Sequence, residues 1–252
     1  MTVRVRAGSP VTVVRLVRNL AGHPFAWRAS AAQTERVRNL LLAAVRGIGR
    51  PRATRGATAV RGRRAFGLLP HPPEGPRPEL WHLEGGPQSR DDHLAALVNA
   101  VDHLVLEVAT PGLDLDGTLA HALRLAARLE RRVAFARTPH WGWLAASPAD
   151  CGSGARVLVR LPVAGLRGAG MERDALAALA RAGLAAGRTE GRPECWEITH
   201  RRPLGMHPLH MLKTVRPLVE RLAAVDRAAV SPGAWTARQG FLFAKPRGIH
   251  YV

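Results

Sequence analysis

Apolar residues fall into short runs along most of the chain, and their spacing separates strand-length pieces from helix-length ones. Residues 11–18 (Val-Thr-Val-Val-Arg-Leu-Val-Arg) are rich in β-branched side chains and predict a strand that stops at the turn-rich segment Asn19 to Pro24. From Ser30 to Val45 the positions Val37, Leu40, Leu41, Ala44 and Val45 recur at helical spacing behind a capping serine, and Gly47 and Gly49 end the helix. Periodicity then lapses over 46–79, where Arg46, Arg50, Arg52, Arg55, Arg61, Arg63 and Arg64 stand among Gly and Pro; this stretch reads as a long solvated connection.

Three strand-like runs follow, at Leu80 to Leu83, His93 to Val98 and His103 to Ala109, the last two joined by the short link Asn99 to Asp102. Leu113-Asp114-Leu115-Asp116-Gly117 leads into an amphipathic helix ending near Arg132, with Leu119, Leu123, Ala126, Ala127 and Leu129 as its expected buried stripe. A strand over Trp141 to Ala146, a Gly-punctuated loop over 147–154, a strand from Ala155 to Leu161 and a helix from Met171 to Ala182 come next. Cys195 to His200 reads as a strand and Pro208 to Ala224 as a closing helix; no element is assigned from Ser231 onward. Strands and helices interleave, but the hairpin-like joins favour antiparallel pairing, so the expected class is mixed α/β with an antiparallel-rich sheet flanked by helices.

With 252 residues, 46% of them apolar, the chain is expected to form a single domain over 1–252. No stretch of eighteen apolar residues and no apolar leader is readable, which points to the cytoplasm and away from a membrane partner. The two cysteines, Cys151 and Cys195, are too few for a disulfide framework or a four-cysteine zinc site. A net charge of +18 raises polyanion binding as a reading. Against it, 35 of the 37 cations are arginine in a chain dominated by Ala, Gly, Pro and Arg, and no nucleic-acid motif accompanies them, so a generally basic composition outweighs a dedicated nucleic-acid module.

Four collinear stretches carry a more specific signal. Val11-Thr12-Val13-Val14-Arg15-Leu16-Val17-Arg18-Asn19-Leu20, followed by Pro24-Phe25, resembles S-[ST]-R-[IV]-R-L-A-R-N-L with its P-F. Asn99-Ala100-Val101-Asp102-His103, eight residues before Pro111-Gly112-Leu113-Asp114-Leu115, resembles N-E-E-D-H and P-G-L-D-L at their usual separation, whereas Asp91-Asp92-His93 lies too far from Pro111 to fit. The third, Gly142 to Arg156 with Ser147-Pro148 and the glycines 152 and 154, resembles G-Y-L-T-[AS]-C-P-T-N-x-G-T-G-x-R, and Leu161-Pro162 follows as the fourth. Together, over roughly 10–45 and 80–225, they resemble the catalytic domain of the ATP:guanidino phosphotransferases, and most the bacterial protein-arginine kinases. The resemblance implies a guanidino-kinase/glutamine-synthetase-like fold, ATP and Mg²⁺ as cofactors, and a guanidinium acceptor, free or on an arginine-containing protein. It leaves 46–79 as a connection and 226–252 as a tail.

Phosphoryl transfer to a guanidinium needs cations around the triphosphate and carboxylates that orient and deprotonate a very basic nucleophile. Arginine suits the first task because its planar fork pairs two phosphate oxygens and stays charged. By resemblance Arg15, Arg156 and, on a shortened loop, Arg188 are the expected nucleotide-binding residues. Other motif positions depart from the pattern: Val13 and Val105 replace arginines, Ala100 and Val101 replace both glutamates, and Ser147 replaces the reactive-site cysteine, with Cys151 four residues on. A second carboxylate is expected at Glu190 or Glu194. Losing base and positioning groups removes orders of magnitude in rate, so a catalytically impaired, pseudokinase-like member is expected.

Asp102 and His103 allow an acid–base reading, but a hydrogen-bonding pair that fixes the turn is the stronger one. His207 and His210 share helical spacing with no third ligand in register, and His200 adds none, so no metal site is read there. Two non-catalytic readings stay open. One is a module that binds nucleotide or phosphoarginine, or regulates a true kinase by association; the other is a polyanion-binding protein acting through 46–64.

Overall fold

The computed structural model describes residues 9–54, 78–84, 93–189, 192–201 and 203–230. Its core is an eight-stranded sheet of β1 (Val11–Arg18), β2 (Arg50–Thr54), β3 (Glu79–Glu84), β4 (His93–Val98), β5 (Leu104–Pro111), β8 (Ala155–Pro162), β9 (Leu184–Thr189) and β10 (Arg192–His200), in the order β2-β3-β4-β5-β1-β8-β10-β9. Every neighbouring pair is antiparallel. A separate ribbon pairs β6 (Arg137–Thr138) with β7 (Gly142–Trp143). The helices are α1 (Ala31–Val45), α2 (Leu115–Glu130), α3 (Ala164–Gly168), α4 (Glu172–Arg181) and α5 (Pro208–Val230).

Strand alternation sorts the sheet into two faces. Val14, Leu16, Leu106, Val108, Val157, Val159, Leu161, Trp196 and Ile198 face the helices and join Leu41, Leu119, Leu125, Leu129, Val215 and Val219 in one core. Removing each of these leucines from water contributes about 2 kcal/mol. The opposite face carries two smaller buried clusters, Val11, Val13, Ala109 and Leu158 in one, and Leu80, Ala95 and Leu97 in the other.

The elements form where local chemistry directs them. Ser30 caps α1 in a reciprocal capping box with Gln33. Asp114 accepts from the Gly117 N–H at the head of α2, where Asp116 adds a favourable charge.

Several expectations need correction. The 46–79 stretch is not one connection: Arg50–Thr54 is the edge strand β2, where Pro51 is tolerated and Arg50 and Arg52 discourage further pairing; residues 55–77 lie outside the described ones. The stripe of α2 runs through Leu115, Leu119, Ala122, Leu125, Ala126 and Leu129, while Leu123 and Ala127 are exposed. Only Gly142–Trp143 of the expected 141–146 strand is extended. Gly142 has φ +63°, and Trp143 exchanges backbone hydrogen bonds with Gly152 across the loop. Strand β9, which has no β-branched residue before Thr189, and the short α3 had no periodic signal, and α5 continues to Val230.

Candidate functional site

The three N-terminal, middle and Gly-loop motifs converge at one end of β1, and Asn19 is the knot. Its Nδ2 donates to Asp102 Oδ1 at 2.6 Å and to the Leu144 carbonyl at 3.1 Å, and its Oδ1 accepts from the His103 N–H at 2.8 Å. Asp102 also accepts from the Ala146 N–H at 2.7 Å. Burial pushes the Asp102 carboxyl above its ordinary range, and the Asn19 and Ala146 hydrogen bonds oppose that shift.

His103 is fully buried. Its Nδ1 accepts from the Leu20 N–H at 2.9 Å, so Nε2 carries the proton and donates to the Pro24 carbonyl at 2.8 Å. Burial holds the ring neutral by lowering its pKa, against the bond to Pro24. Asp102 and His103 therefore each tie the hairpin link to the segment after β1, and neither is hydrogen-bonded to the other.

Arg18 completes this end. Its guanidinium lies 4.4 Å from the centre of the Trp143 ring and donates to the carbonyls of Val17 and Gly154. Burial lowers its pKa to about 10, partly offset by Glu130 at 3.5 Å.

The charged residues on the helix-distal face form a second group. Arg15 on β1 stands directly opposite Glu107 on β5 and Arg156 on β8. Its Nε donates to Glu107 Oε2 at 2.8 Å, and its two terminal nitrogens reach the two oxygens of Glu197 on β10 at 3.4 Å. Arg160 on β8 contacts the same two carboxylates, Glu197 at 3.2 Å and Glu107 at 3.4 Å. Among the described residues, two guanidiniums and two carboxylates thus form one cluster across four strands, balanced in formal charge. Burial alone would raise the Glu107 carboxyl, but Arg160 and Arg15 outweigh it and hold the group ionised below the usual range. His93 and His82 continue the polar stripe, their ring centres 5.1 Å apart. Burial depresses both, His82 to about 4.

Of the expected nucleotide-binding residues, Arg15 and Arg156 share this face. Arg156 is ion-paired with Asp150 in the Gly-rich loop and keeps 33% of its side chain exposed. Arg188 is exposed on the edge strand β9 opposite Trp196, and that register sets it on the helix-facing side, away from Arg15. Glu190 lies outside the described residues, and Glu194 is exposed on β10.

The positions that depart from the motifs are accommodated as apolar residues. Ala100 and Val105 pack against Leu80, Ala95 and Leu97, Val13 belongs to the cluster with Val11 and Leu158, and Val101 is 49% exposed at the hairpin tip. Ser147 is half-buried at the start of a 3-10 turn. The Cys151 thiol is spent inside that loop, accepting from the Ala145 N–H and donating toward the carbonyls of Ala145 and Ser147. Among the described residues no cluster of three or more His, Cys, Asp or Glu side chains could hold a metal ion. No helix among them is long and apolar enough to cross a membrane.

Glu107, Arg160 and Glu197 were not singled out from the sequence. The signal was present: each is a charged residue at an alternating position of a strand whose neighbours on that face are apolar or charged in register.

A family model described as "ATP:guanido phosphotransferase, C-terminal catalytic domain" matches residues 82–229, more than half of the chain. Among curated proteins, the protein-arginine kinase of Symbiobacterium thermophilum is 28% identical over 86% of this chain and 63% of its own length. That of Halothermothrix orenii is 38% identical over 30% of this chain and 22% of its own. The chain therefore spans less than two thirds of these relatives. Among solved structures, a lombricine kinase superposes with a TM-score of 0.66 at 15% identity, over 87% of this chain and 66% of that one, which is a likeness of fold. The antiparallel sheet, the Asn19–Asp102–His103 knot and the matched residues lead to one conclusion: the chain belongs to the ATP:guanido phosphotransferase family.

Proposed function

We propose that this chain is a protein-arginine kinase-like domain whose phosphoryl transfer is impaired, and that it acts as a binding or regulatory partner built on a kinase scaffold. The observation that carries the reading is the commitment of Arg15. A guanidinium that is to receive a triphosphate must present unpaired N–H groups and uncompensated charge. Arg15 instead faces Glu107 and Glu197, and among the described residues the cluster it forms with Arg160 is formally neutral. Displacing Glu197 to admit a phosphate would leave a carboxylate beside an anion. The residues on this face therefore do not fit MgATP as they stand.

The pattern of what is kept supports the same reading. Asn19, Asp102, His103, Gly142, Gly152 and Gly154 are retained and have structural work in hydrogen bonds or tight turns. Val13, Ala100, Val101 and Val105 fall where the resemblance expects charge, and three of them serve apolar packing instead.

An active kinase is the second reading, and Glu197 favours it. Its carboxylate is 23% exposed and already grips two guanidiniums, the task the missing glutamates would perform. Incubation of purified protein with MgATP and either an arginine-rich protein or free arginine, followed by mass spectrometry for acid-labile phosphoarginine, separates the two. The impaired reading expects none beside an active relative. Phosphoarginine that disappears in Arg156→Ala overturns it.

A further inference from the structure

The ends of α1 and α2 meet on the helix-bearing side of the sheet, away from Arg15, around a cavity of about 480 Å³ lined by Gly47, Arg128, Arg131 and Arg132. Arg128 stands in the last turn of α2, Arg131 is its C-cap and Arg132 follows directly, and all three line the cavity. Among the described residues none of the three is ion-paired, and no carboxylate lines the cavity. Gly47 sets the geometry: a Cβ there would collide with the Arg132 guanidinium, which lies across the end of α1.

Two explanations compete for this cluster. Cations at a helix C-terminus offset the carbonyl end of the dipole, and two such ends are present. Each end carries roughly half a negative charge, so the pair accounts for about one of three positive charges and leaves a surplus near +2. That surplus is held in a concavity of ligand size. The three lie within five consecutive residues at the end of α2. Such spacing focuses charge on a compact anion and does not follow an extended backbone.

We propose that this cavity binds a compact polyphosphate: two or three linked phosphoryl groups, as in inorganic tripolyphosphate or the tail of a nucleoside triphosphate. Arg131 and Arg128 supply forked N–H donors, and Arg132, seated over Gly47, closes the inner wall. The site is independent of whether the opposite face transfers phosphoryl groups.

Isothermal titration of the full chain with tripolyphosphate at fixed ionic strength tests it, with ATP in a parallel arm to separate free polyphosphate from nucleotide. Saturable one-to-one binding is expected, weakened about tenfold by Arg128→Gln or Arg131→Gln. Gly47→Ala should also weaken it; the obstructing group is the end of a flexible side chain, so that variant displaces Arg132 while keeping the fold, as circular dichroism would verify. Arg173→Gln, at an exposed arginine of α4 that does not line the cavity, should bind as the parent does. Absence of saturable binding, equal affinity in the cavity variants, or equal competition by a single-stranded oligonucleotide matched in phosphate number would overturn the proposal.

Discussion

Arg15 and Glu107 face each other across the central strand pair, Nε to Oε2 at 2.8 Å, and both side chains are almost wholly withdrawn from solvent. The Arg15 guanidinium is one of the groups that hold the buried Glu107 carboxyl ionised. Glu107→Ala takes away a carboxylate that Arg15 and Arg160 share, and removing one partner of a buried pair costs about 3–5 kcal/mol. Chemical denaturation should show the midpoint falling accordingly, and an unchanged midpoint would show that the cluster is solvated.

Asn19 is the second test of the framework. Asn19→Ala removes three hydrogen bonds and leaves the buried Asp102 with the Ala146 N–H alone, for an expected loss of about 3 kcal/mol. The conservative Asn19→Asp should be no better, because it sets a second carboxylate against Asp102. Urea melts of both variants check this.

Gly154 has φ +56°, and a Cβ there would stand 2.5 Å from the Arg18 guanidinium and 2.9 Å from the Val17 carbonyl. Gly154→Ala combines a left-handed backbone with an unyielding carbonyl contact, so a loss of about 2 kcal/mol or more is expected. Gly168→Ala, at an open helical position, should be neutral by the same thermal melt.

Acid should destabilise the fold before the carboxylates titrate. His82, His93, His103 and His200 all have depressed pKa values, with burial the leading cause, and His82 lies at about 4. As pH falls through 6.5 the unfolded chain takes up protons that the folded one refuses, so stability declines from there toward pH 4. Glu107 adds to the decline at lower pH, since its depressed value favours the folded state only while it is ionised. Asp102 acts in the opposite sense: its raised value favours the folded state at low pH and is lost as pH rises. Melting temperatures between pH 7 and 4 should fall steadily, and His82→Phe should flatten the slope.

Strands with an apolar side and helices with a three-four spacing were legible because burial writes its period into the sequence, as in β1, β5 and α2. Edge elements were not: β2 reads as Arg-Pro-Arg-Ala-Thr, and β9 as Leu-Ala-Ala-Gly-Arg-Thr, and both are defined by the neighbour they pair with. The site was half legible. Motif spacing brought Arg15 and Arg156 to one face, but the carboxylates that neutralise Arg15 come from β5 and β10, 92 and 182 residues away, and only the register joins them.

The place of β1 in the sheet has a consequence for biogenesis. During synthesis β1 emerges before both of its neighbours, β5 and β8, whose residues follow it by about a hundred and a hundred and fifty positions. The β2-to-β5 meander can pair as it emerges, while β1, with six buried apolar or β-branched side chains, must wait. Long-range closure of this kind is slow and exposes unpaired edges. Nascent chains truncated between residues 111 and 155 are therefore the ones expected to depend most on a chaperone.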